Sequence, residues 1–106
     1  MDNDVVMYKG NSDTVAVVMS GLGAYSGYTP YFTMRKTIND TEKIIEKEGT
    51  ISDDTATFNF VPEDTDINPR QYVFDVTIED GTNVYTIEIE DGRILGVLEI
   101  VDTIRY

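Results

Sequence analysis

Phe58-Asn59-Phe60-Val61-Pro62-Glu63-Asp64 and, after a short polar stretch, Tyr72-Val73-Phe74-Asp75-Val76 are the residues whose reading decides the fold. Apolar and polar side chains alternate through both strings. Successive side chains of an extended chain point to opposite faces, so a period of two buries one face and wets the other. Ala56, Phe58 and Phe60 share a face within Asp54 to Val61. Tyr72, Phe74, Val76 and Ile78 share one within Gln71 to Glu79. A helix would need its apolar residues three and four apart. The stretch therefore reads as two β-strands aimed at a common core.

Working outward, the same pattern recurs between turn residues. Asp80-Gly81 tolerates the positive φ angles of a tight hairpin turn, and Asp91-Gly92 repeats it. Val84 to Ile89 and Ile94 to Val101 then complete a three-strand meander with Gln71 to Glu79. Towards the N-terminus, Asp4 to Tyr8 and Thr14 to Ser20 read as strands, the second with Val15, Val17 and Met19 on one face. Gly21-Leu22-Gly23-Ala24 breaks the second strand. In Tyr28 to Lys36, Phe32 and Met34 point one way, Thr33 and Arg35 the other. Pro30 has no N–H to donate to a ladder, which puts it at a strand start or on an edge. Asp40 to Glu48 reads as a short edge strand carrying Ile44 or Ile45. A helical turn is the alternative, opposed by the like charges of Glu42 and Glu46 at i, i+4 and by Gly49. About seven to eight antiparallel strands in one domain, residues 1–106, indicate an all-β, aligned sandwich of immunoglobulin type. Phe58, Phe60, Phe74, Val76, Val17 and Phe32 are the expected inter-sheet core.

Charge narrows the function. Twenty acidic residues stand against 8 basic ones, a net charge of -12. Nucleic acid and anionic membrane surfaces are disfavoured, because both are held by clustered Lys and Arg. Acidity favours solubility, and a basic protein partner or a divalent cation. With no Cys and no His, disulfides and thiolate metal sites are excluded, and the commonest general base is missing. The start, Met1-Asp2-Asn3-Asp4, leads no apolar signal region, and Val15 to Met19 is too short to span a bilayer. The expectation is a protein made in a cytoplasm, without cofactor and without catalytic residues.

Four motifs remain to be weighed. Asp64-Thr65-Asp66-Ile67-Asn68 opens like a calcium loop, but Pro69 stands where that loop needs Gly and no flanking helices are expected. A looser calcium site between sandwich loops, or a plain turn, are the readings left. Gly21-Leu22-Gly23 precedes a strand, so it is not a phosphate loop. Asn39-Asp40-Thr41 fits the glycosylation pattern, which carries no meaning without a secretory signal. Tyr25, Tyr28 and Tyr31 recur every third residue. They read either as an aromatic platform for a sugar or a partner, or as strand residues alternately buried. With Ile44 and Ile45 they are the candidate partner-contact residues.

An acidic turn, a short loop and then Tyr72 opening an apolar strand resembles the corner before the sixth strand of immunoglobulin-like domains. There Tyr72 would be the corner tyrosine, its hydroxyl bonding to backbone a few residues upstream. Phe74 stands where antibody domains have a disulfide Cys. More narrowly, the chain resembles the immunoglobulin-like domain of bacteriophage baseplate upper and related tail proteins. The resemblance is carried by Tyr8-Lys9-Gly10-Asn11-Ser12-Asp13, Gly27-Tyr28, Phe32-Thr33-Met34-Arg35-Lys36, Phe58 to Asp64, and Tyr72 to Val76 with Asp80-Gly81. It implies a virion structural protein of baseplate, tail, collar or head decoration, made in the host bacterial cytoplasm. Such a protein would dock on other virion proteins, monomeric alone and in multiple copies in the particle. A carbohydrate- or surface-binding module and a small acidic mimic of nucleic acid are the alternatives.

Overall fold

A computed structural model describes residues 4–19, 25, 27–89 and 93–102. The expected breaks at Gly21 to Ala24 and Asp91-Gly92 lie outside the described residues. Among the described residues nine strands form two sheets. They are β1 (Val5–Tyr8), β2 (Asp13–Val18), β3 (Thr29–Arg35), β4 (Ile45–Glu48), β5 (Thr50–Ser52), β6 (Thr55–Phe60), β7 (Arg70–Glu79), β8 (Val84–Ile87) and β9 (Gly96–Val101). One helical turn, α1 (Pro62–Thr65), joins β6 to β7. The larger sheet runs β1-β9-β7-β3-β4, with β8 also on β7, and the smaller runs β2-β6-β5.

The two sheets bury their facing sides against each other. Ala56, Phe58 and Phe60 of the smaller sheet and Phe32, Met34, Tyr72, Phe74, Val76 and Ile78 of the larger one are all buried. Phe32 sits at the centre, tilted against Phe58 at 5.5 Å and edge-on to Phe60 at 5.2 Å. Val17 is only half-buried, because β2 lies at the margin of the smaller sheet, and Val15 and Met19 fill the core instead. Each fully buried large apolar side chain contributes roughly 1.5–3 kcal/mol by leaving water.

Four expectations are corrected. The described residues form nine strands, and not all are antiparallel: β1 runs parallel to β9, Val5 opposite Leu98 and Tyr8 opposite Val101. The reason is local. Asn11 N–H donates to Tyr8 O across a turn with Gly10 at φ 78°, which carries the chain over to the other sheet instead of folding it back. Among the described residues the last three strands form no meander. Val76–Glu79 of β7 pairs with β8, while Arg70–Phe74 pairs with β9 on the same side. Together β8 and β9 follow one margin of β7, and Asp75 falls between the stretch paired with β9 and the stretch paired with β8. The β7–β8 turn is centred one residue later than Asp80-Gly81. Asp80 N–H bonds to Asn83 O, Gly81 takes φ 94°, and the Asp80 carboxylate accepts the Thr82 and Asn83 amides. Finally, the polar loop after β6 contains α1, started by Pro62 and by the Asp64 carboxylate, which accepts the Val61 amide at 2.9 Å.

Asp40 to Glu48 resolves as a bend followed by β4, the edge strand next to β3. Pro30 is the second residue of β3, before its first pair with β4. Its carbonyl accepts the Gly49 amide, so the missing N–H faces away from the β7 ladder.

Candidate functional site

The three tyrosines are not gathered on one surface. Tyr25 is 7% exposed and belongs to the core. Tyr28 is half-buried against that core and meets Tyr85 of β8 edge-on at 6.0 Å. Tyr31 lies on the opposite face of β3, between Glu48 of β4 and Thr77 of β7. A spacing of three on a strand of period two sends neighbours to opposite faces. Burial pushes the phenols of Tyr28 and Tyr31 up, and nearby acids add to it, Asp80 for Tyr28 and Glu48 and Glu79 for Tyr31. Ile44 and Ile45 are half-buried and pack against the core, with Ile44 N–H bonded to Met34 O.

The Asp64–Asn68 segment is knitted into the scaffold. Asp64 faces Lys47 at 2.7 Å, tying β4 to α1, and Asp66 faces Lys9 at 3.0 Å. Thr65 Oγ1, buried, donates to Asn11 O at 2.7 Å. Tyr72 Oη donates to Asn68 O at 2.6 Å, and burial raises its phenol. The two carboxylates thus turn to different lysines. Among the described residues no group of three or more acids gathers in metal-binding proximity.

Exposed apolar groups and sheet margins make up the rest of the candidate surface. Val6 and Tyr8 of β1 stand on the outer face of the larger sheet, and Val18 of β2 is 65% exposed. Ile38 and Ile94 border a hollow of about 240 Å³ that includes Arg35 and Asp75. A larger cleft, about 360 Å³, opens between the sheets beside β2. Its walls include Val5, Val15, Val17, Phe74 and Ile89, so it reaches to the core. At its rim Asp4 takes a two-pronged contact from Arg93, 2.7 and 2.8 Å, and accepts the Val97 amide at 2.8 Å. That fork holds the Asp4 carboxyl below its ordinary value. Neither the cleft nor the fork was visible in the sequence. Asp4 and Arg93 are 89 positions apart and no spacing rule connects them.

This arrangement suits shape-based contact at sheet margins, with apolar floors and rims that carry charged residues. No protein-family model matches the sequence, and no curated protein matches it either.

Proposed function

We propose that this chain is a non-enzymatic interaction domain, a structural component of a bacteriophage particle that works by contact with neighbouring virion proteins. The sandwich is read as immunoglobulin-like. Supporting this are the parallel first and last strands in one sheet, the separate β2-β6-β5 sheet, and the Tyr72 hydroxyl on Asn68 O. The observation that carries the contact reading is the cleft beside β2, an opening to the core at a sheet margin flanked by exposed Val18. A net charge of -12 favours partners that bring Lys or Arg, and it opposes association between free copies.

Purified phage particles analysed by mass spectrometry, followed by chemical cross-linking of the intact particle, test this. The expected result is the chain present in many copies, cross-linked to a different structural protein. Its absence from particles that carry the gene overturns the virion assignment.

A further inference from the structure

The sheet margins differ in how they are guarded. β1, β4 and β8 have four residues each, β5 has three, and β4 carries Glu46, Lys47 and Glu48. Shortness and charge are the usual protection of a sheet edge. β2 has six residues, and Thr14 to Val18 contains no charged residue, Gly or Pro. Met19 N–H donates to Asp54 O at 2.7 Å in register with the β2–β6 pairing. Hydrogen-bonded and non-bonded pairs alternate along an antiparallel ladder. Val15 and Val17 therefore bond to β6, whereas Thr14, Ala16 and Val18 turn their N–H and C=O groups to the other side, which no strand among the described residues pairs. The Thr14 amide is taken by Asp13 Oδ1 at 2.7 Å, which leaves the amides of Ala16 and Val18 facing outward.

The cleft of about 360 Å³ lies along this same margin. A strand laid beside β2 would send every second side chain inward over Val15, Val17 and Phe74. The pairs on the outer face of this sheet, Thr14–Asn59, Ala16–Thr57 and Val18–Thr55, carry no charge. On this sheet acids stand at the two ends of β2: Asp13 at one, and the Asp53-Asp54 turn beside Val18 and Met19 at the other, while Asp4 at the cleft rim is paired with Arg93.

We propose that the open edge of β2 is a strand-addition site for a partner protein. The added strand carries apolar residues at alternate positions and Lys or Arg at both ends. A second copy of this chain is the wrong occupant. Two-fold antiparallel pairing of β2 with itself would set Asp13 of one copy near the Asp53-Asp54 turn of the other, acid against acid at both ends. This inference rests on the contact reading above and assigns that contact to one edge.

The test uses the whole isotope-labelled protein and a synthetic peptide with lysine pairs at its ends and valine at alternate positions between. Binding is expected to slow amide exchange at Ala16 and Val18 by about tenfold or more. Val18→Lys, which changes an exposed side chain, is expected to weaken binding about tenfold, and Ala16→Pro to abolish it. A peptide whose lysines are replaced by glutamates is expected not to bind. Binding without protection at Ala16 and Val18, or equal binding of the glutamate peptide, overturns the proposal. So does a free protein that sediments as a dimer with those amides already protected. The two claims fail separately. A virion partner cross-linked equally well to wild type and Val18→Lys removes the β2 assignment and keeps the contact reading. Absence of the chain from particles removes the virion reading and leaves the exchange result standing.

Discussion

The ring of Phe32 stacks on that of Phe74, centroids 4.5 Å apart and planes 16° from parallel. The two are not register partners: Phe32 lies opposite Val76 and Phe74 opposite Met34. The rings meet along a diagonal of the β3–β7 ladder, a separation that aromatic side chains can span. Phe74 in turn lies across from Gly96 of β9. A Cβ on Gly96 would fall 2.3 Å from the Phe74 ring, so the glycine makes room for the stack.

Phe74→Ala is expected to cost about 3–5 kcal/mol, read as a lowered urea midpoint. Gly96→Ala is expected to cost about 1–3 kcal/mol by overpacking. In a Phe74→Leu background the Gly96→Ala cost should shrink, because the clash is with the ring. Equal costs in both backgrounds would show that Gly96 is constrained by something other than Phe74.

Tyr72→Phe removes one hydrogen bond, to Asn68 O, and is expected to cost about 1 kcal/mol. The phenol also titrates with folding. Burial holds it above its ordinary value of 10.0, so the folded state favours the protonated form. Its contribution is full below the ordinary value and is lost as pH rises through the raised one. In alkaline urea titrations Tyr72→Phe should therefore lose stability less steeply than wild type. Parallel curves would mean that Tyr72 ionises equally in both states.

What the sequence disclosed followed from periodicity. Phe58, Phe60, Phe74 and Val76 fall on buried faces because a two-residue repeat leaves no other phase for them. Ile45 in an edge strand was likewise readable, since Gly49 and like charges argued against a helix there. Pairing order was not readable. The stretch from Val84 to Val101 has the look of two hairpin returns, yet among the described residues β8 and β9 do not pair with each other, and both share one margin of β7. Local alternation specifies a face but not a neighbour. The tyrosine triplet shows the same limit from the other side, with Tyr25 buried and Tyr31 across the sheet. The β2 cleft is formed by strands distant in sequence, so no window of residues contains it.

The Asp4–Arg93 fork fixes the start of β1 to the start of β9, with side chains 22% and 30% exposed. Asp4→Asn is expected to cost about 1–2 kcal/mol at neutral pH, through loss of a charged, two-pronged hydrogen bond. Because the carboxyl is held below its ordinary 3.8, chiefly by Arg93, its contribution is present above that value. It disappears as pH falls through the lowered one. The stability gap between wild type and Asp4→Asn should thus close in acid. A gap that persists at the lowest pH where both fold would assign the effect to packing.

Asp75 should behave in the opposite sense. It lies on the outer face of β7, opposite Thr33 on one side and, on the other, between the stretch paired with β9 and the stretch paired with β8. Burial pushes its carboxyl above 3.8, Arg35 and Lys43 pull it down, and Glu46 adds to the rise. Burial prevails, so the folded protein holds the proton more tightly than the unfolded chain does. The stabilising effect of that proton is full at pH values below the ordinary carboxyl range and is lost as pH rises through the raised value. At neutral pH the charged form is the disfavoured one. Asp75→Asn, which keeps the shape and removes the charge, is expected to stabilise the domain by about 0.5–1 kcal/mol at neutral pH. The advantage should fade as the buffer is taken below the carboxyl range. Urea midpoints of both proteins across that range decide it. An Asp75→Asn protein that is less stable than wild type at neutral pH would mean that Arg35 outweighs burial, and the sign assigned to Asp75 would reverse.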